Sequence, residues 1–159
     1  MRKSLAHLVC QGLFVVLIGA MVAGCQRGDE QSVSGPPPPT DVRHDLDPLT
    51  KRFPVIGTPV SASWVTWNSA TGGPAAPTTY WIDAVVTLTP ETTAALMATH
   101  HPTDGGKRPT VQSLLAAEVP ACPFVVSASL DEALSSSRWR SSTYLDRNAH
   151  QLVISTLDD

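Results

Sequence analysis

The residue order of this 159-residue chain predicts an α+β domain: a small antiparallel sheet with two or three short helices on one face. Three observations carry that reading. Two β-prone runs occur near the middle of the chain, capped helical segments follow them, and two more β-prone runs close it.

The first run, SASWVTWN at 61–68, is rich in aromatic and β-branched residues and reads as a strand. TTYWIDAVVTLT at 78–89 reads as a second. In it Tyr80, Ile82, Ala84, Val86 and Leu88 alternate onto one face, which should meet the core. Trp81, Asp83, Val85 and Thr87 fall on the other face, where Asp83 is expected to meet solvent or to pair with Arg138 or Arg140 across the sheet. SATGGPAAP between the runs supplies a Gly- and Pro-rich loop, so the two strands should pair antiparallel.

Thr89 then caps a helix over TPETTAALMATH: Pro90 suits the first helical position, Glu91 complements its N-terminus, and Leu96, Met97 and His100 share a side. Thr110 is expected to cap a second helix in VQSLLAAEV, with Val111, Leu114, Leu115 and Glu118 at helical spacing and Pro120 and Pro123 stopping it. A third, of about two turns, is predicted from the capping box Ser129-Leu130-Asp131-Glu132. RWRSSTYL, the turn residues DRNA and HQLVIST then form a closing hairpin, with Asn148 suited to a left-handed conformation.

Ahead of this domain the chain carries an address. Arg2 and Lys3 precede an apolar run from Leu13 to Ala23, which Gln26, Arg27, Asp29 and Glu30 end. A basic start with an apolar segment of about 7 to 15 residues describes an export signal, whereas a permanent span needs about 20 apolar residues. Val22, Ala23, Gly24 and Cys25 follow as VAGC. That motif resembles the lipobox of bacterial lipoproteins. The resemblance, confined to the first 25 residues, implies cleavage between Gly24 and Cys25 and lipid on the Cys25 thiol, with the protein held to the cell membrane on its extracytoplasmic side. Two acyl chains suffice for a stable anchor. Residues 1–24 are then a signal peptide, 25–52 a lipidated N-terminus and tether containing Pro36 to Pro39, and 53–159 a single globular domain.

Charge narrows the partners. Loss of residues 1–24 removes Arg2 and Lys3, leaving nine Lys and Arg against 14 Asp and Glu, a formal charge of −5. No concentrated basic patch results, so nucleic acid is not an expected partner; the membrane is expected only through the lipid, beside an envelope protein or a small ligand. Of the three cysteines, Cys10 lies in the leader and Cys25 is consumed by lipid, which leaves Cys122 without an intramolecular partner.

Catalytic patterns are sparse. His100, His101 and Asp104 cluster, but adjacent helical residues diverge by about 100° and do not form a chelate, so neither metal nor cofactor is expected. Cys122 in VPACPFVV sits in an apolar setting that disfavours a thiolate. Trp64 and Trp67, three apart on one strand, point to opposite faces, and one of them should join Trp81 as an outward aromatic pair able to take a ligand. The leading expectation is therefore a non-catalytic binding or interaction domain whose candidate ligand residues are Trp64, Trp67 and Trp81. The alternative is a small envelope hydrolase using Cys122, a histidine and Asp83.

Overall fold

The structure, a computed structural model, describes residue 39 and residues 41–68, 79–105, 107–121 and 123–158. Gly24, Cys25, Cys122 and the loop 69–78 lie outside the described residues. The fold is α+β, as the sequence predicts.

Four eight-residue strands make most of the sheet: β1 (Ser61–Asn68), β2 (Tyr80–Thr87), β5 (Trp139–Asp146) and β6 (Gln151–Asp158). Two short strands, β3 (Thr103–Asp104) and β4 (Val125–Val126), add to one edge. The order is β1-β2-β6-β5-β4-β3 and every pairing is antiparallel. The two hairpins thus meet through β2 and β6, with Ala84 opposite Ile154 and Val86 opposite Leu152. Central strands lacking a free edge bury both faces, and these two carry nearly continuous apolar residues to match.

Three α-helices cover one face: α1 (Asp47–Arg52), α2 (Pro90–His100) and α3 (Ala128–Ala133). Leu49, Phe53, Leu96, Leu130 and Leu134 pack there on Trp64, Ile82, Ala84, Val86, Leu152 and Ile154. Burying each large aliphatic side chain contributes about 1.5–3 kcal/mol. Thr89 caps α2 through its hydroxyl, which accepts from the Thr92 amide at 3.1 Å, and His101, in the left-handed region at φ 45°, terminates it. Tyr80 lies beyond this cover at the strand end and is exposed, against the expectation that it enters the core.

The packed structure reaches further toward the N-terminus than the expected start at Phe53. Arg43 bridges to Trp64 on the outer edge of β1, and α1 buries Leu49. Pro48 within the first turn and Asp47 at the N-terminus give α1 its start. Arg52 at its end bonds Asp158 on β6 at 2.6 Å and stacks over Trp139 at 4.2 Å.

The opposite face corrects the expectation of an outward surface. Val65, Val85 and Val153 form a second core with Leu115, Val119 and Phe124. Its cover is the segment 107–124, in which the predicted helix is only a 3-10 turn at Ser113–Leu115. The cause is local: Gln112 is extended at ψ 144° because its amide donates to Asp83 on the sheet, and Pro120 ends the segment before a helix could lengthen. Arg108 pins the same segment by donating to the carbonyls of Ala116 and Val119, both at 2.8 Å.

Two further details depart from the sequence reading. Ser127, two residues before the expected capping box, is the N-cap of α3; Ser129 instead bonds His100 at 2.9 Å. The helix then closes the edge of β5 where β4 is too short to reach: Asp131 accepts from the Thr143 amide at 2.7 Å and Ser135 from the Ser141 amide at 2.8 Å. In the closing turn the left-handed residue is His150, at φ 52°. The amides of Asn148 and Ala149 are both bonded to the Asp146 carboxylate, at 2.9 and 3.0 Å, so the reversal falls on the last turn residue.

Gly105 continues the β3–β4 pairing by donating to the Phe124 carbonyl at 2.9 Å, and a Cβ there would meet the Val126 methyls at 2.6 and 2.7 Å. Gly105→Ala is expected to destabilise the domain by about 1–3 kcal/mol. Combining it with Val126→Ala should show favourable coupling in urea unfolding, because the clash disappears with the valine. Purely additive losses would refute the steric origin.

Candidate functional site

The register places chemistry in rows across the second face. Trp67 lies opposite Trp81, and Trp81 opposite Leu157; one step along, Val65 lies opposite Asp83, and Asp83 opposite Ser155. The valine row beyond is sealed by the 107–124 segment. The tryptophan row lies at the margin of that cover, and both indoles remain partly exposed. Their rings stack with centroids 5.9 Å apart and planes within 10°.

A groove of about 320 Å³ runs between this row and the covering segment. Trp67, Trp81, Asp83 and Ser155 line it from the sheet, residues 110–113 from the segment. Asp83 is only 4% exposed. Its two carboxylate oxygens accept from the Gln112 amide at 2.7 Å and the Ser155 hydroxyl at 2.8 Å. Burial pushes its pKa above the ordinary aspartate value, and these two hydrogen bonds only partly oppose the shift. The acid expected in solvent is thus buried, and its partners are neither Arg138 nor Arg140: Arg138 is exposed, and Arg140 is exposed opposite Leu157.

Of the three tryptophans singled out by sequence, the structure brings two together. Trp64 is buried on the helix-covered face, its indole donating to the Asp45 carbonyl at 3.0 Å beneath the Arg43 guanidinium at 4.0 Å. Gln112, Ser113 and Ser155 carried no signal in the sequence, and Thr110 read as a helix cap, whereas it lines the groove and Gln112 precedes the 3-10 turn. Ser155 becomes a neighbour of Asp83 only once β6 is known to pair with β2.

A larger groove of about 500 Å³ lies on the other face, lined by Arg43, Lys51, Arg52, Trp64 and Thr66 among others. Its cations are already committed: Arg43 to Asp45, Lys51 to Asp47 and Arg52 to Asp158. Volume alone therefore does not make it the better site. His100 and Ser129 bond at 2.9 Å between α2 and α3, but neither lines any of the main grooves. No histidine is among the hydrogen-bond partners of Asp83. Among the described residues no group of three or more His, Cys, Asp or Glu side chains is placed to hold a metal, and no helix is long and apolar enough to cross a membrane.

Comparison of the chain with protein families, with characterised proteins and with solved structures finds no match.

Asp83 makes stability depend on pH in a direction opposite to that of an ordinary ion-paired acid. The unfolded chain releases this proton near the usual value of 3.8 and the folded chain at higher pH. Between those points the folded state binds more protons, so the group's contribution to stability falls as pH rises. Asp83→Asn keeps an oxygen for Gln112 and cannot ionise. Unfolding free energies measured in urea across the acid range should show wild type losing stability relative to Asp83→Asn as pH rises through that window, then a constant difference above it. A difference independent of pH would contradict the assignment.

Proposed function

We propose that the protein is a lipid-anchored extracytoplasmic binding module that takes a small ligand in the groove beside Trp67 and Trp81. The observation that carries this reading is the placement of two stacked, partly exposed indoles next to a buried carboxylate in one concave site. Concave, aromatic-lined pockets with a few oriented polar groups are the usual form of a small-molecule site. The chemistry present is that of recognition, since the Ser155 hydroxyl beside Asp83 has no histidine, lysine or cysteine with it among the described groove residues. The VAGC motif supplies the location: cleavage before Cys25 and lipid on its thiol hold the domain at the membrane, with the Pro-rich segment as spacer.

Each half of the reading has its own test. Metabolic labelling with a fatty acid should mark the wild type and fail for Cys25→Ser; equal labelling of both would remove the anchor. For the groove, acrylamide quenching should be reduced when Trp67 and Trp81 are both replaced by Phe, because Trp64 is buried and Trp139 packs against Phe53 with the Arg52 guanidinium over its ring. A panel of amines, saccharides and short peptides screened by indole emission should contain a saturable ligand whose signal is lost in Trp67→Ala and Trp81→Ala. Ligands that bind these variants as well as the wild type would place recognition elsewhere.

A further inference from the structure

The proposed function leaves open what the groove selects, and its charge is informative. Every hydrogen-bonded contact of the Asp83 carboxylate is with a neutral donor, the Gln112 amide and the Ser155 hydroxyl. The groove residues are Trp67, Trp81, Ser155, Asp83 and the stretch 110–113, which reads Thr-Val-Gln-Ser, so among the described residues Asp83 is the sole charged side chain lining it. Asp45, Asp47 and Asp158 each take a cation, from Arg43, Lys51 and Arg52; Asp131 and Asp146 are held, like Asp83, by neutral donors, and of these three it is Asp83 that lines a groove beside two indoles. A buried carboxylate normally has an ionic partner because removing its charge from water is costly. Beside this one stand two indoles, whose electron-rich faces attract cations as well as apolar groups.

On these grounds, and resting on the reading of the groove as a ligand site, we infer that its ligand is a small organic cation with an alkylated ammonium head. Such a head satisfies both features at once. Its charge complements Asp83, and its methyl or methylene groups cover the Trp67 and Trp81 rings, which a strongly hydrated metal ion does not do. The polar side chains of the 110–113 stretch and Ser155 are placed for a hydroxyl or carbonyl elsewhere on the same molecule. An anion is disfavoured by the same charge. A neutral saccharide could use the indoles but leaves the carboxylate without a counter-charge. The site volume of about 320 Å³ is at the small end of ligand pockets, which fits a compact head rather than a polymer.

The test compares choline with its uncharged isostere, in which a tert-butyl group replaces trimethylammonium, on the full chain. Binding is followed by indole emission, since the sequence contains only four tryptophans. Choline should bind saturably and at least about tenfold more tightly than the isostere. Asp83→Asn should bring choline down to the affinity of the isostere and leave the isostere unchanged; Trp81→Ala should weaken both. The choline-to-isostere ratio in wild type stands whether or not a variant folds. Equal affinities would overturn the cation assignment while leaving a ligand groove intact. Binding of neither probe, with a saccharide or peptide binding in a Trp81-dependent way, would likewise reject the cation and retain the site. Loss of no ligand's binding on replacing both tryptophans would reject the site itself.

Discussion

The pairing of β2 with β6 is the constraint on which the rest of the molecule depends. Each strand already has a local hairpin partner, β1 for one and β5 for the other, and the two hairpins become one sheet only when residues 80–87 align with 151–158. That alignment sets Ala84 against Ile154 and Val86 against Leu152 on the helix side, and Val85 against Val153 on the other. A one-residue slip would turn each of these strands inside out and expose its apolar set to the wrong layer. Because the contact joins distant parts of the chain, loop closure must precede its reward, and the local hairpins and helix caps are what can form first.

From that sheet two unequal faces follow. The helix side holds the larger core, with Phe53 and Trp139 meeting edge to face at 6.4 Å and Arg52 bound over the indole. The other side is a smaller core whose cover is irregular chain, held down at Arg108 and at the Gln112 amide. Irregular backbone over a core must find partners for its amides and carbonyls. Asp83 supplies one such partner from the sheet itself, and in doing so holds Gln112 extended at the wall of the groove beside the tryptophans.

The strands were legible because period-two alternation and β-branched residues report directly on a pleated surface. The span of β1 matches its predicted run, and the cap at Thr89 acts as its residue types require. What was not legible has a common cause, since each miss is a tertiary contact overriding a local preference. VQSLLAAEV has helical spacing, but its second residue gives its amide to Asp83. Ser129 fits a capping box, but the helix starts after Ser127, whose hydroxyl donates to the His100 carbonyl, and Ser129 meets the His100 ring. Asp83 alternates with the apolar residues of β2 and so reads as solvent-facing; only the cover from a remote segment reverses that. The tryptophan pair was half legible: opposite faces for Trp64 and Trp67 follow from the strand period, but which of them joins Trp81 depends on the facing register.

Asp83 also bears on why a groove exists at all. Its neighbours one step further along the same face, Val85 and Val153, show what the second core is made of, and an aliphatic residue at position 83 would extend that core at no electrostatic cost. The covering segment would still have needed a partner for the Gln112 amide, which water at the margin of the sheet could have provided. A carboxylate there is a weak solution for folding, because its ionisation is opposed by burial. It is a strong solution for recognition, since a charge held between a fixed amide and a fixed hydroxyl is already oriented when a ligand arrives. The residue whose ionisation burial opposes is thus the one that gives the tryptophan groove its chemical character.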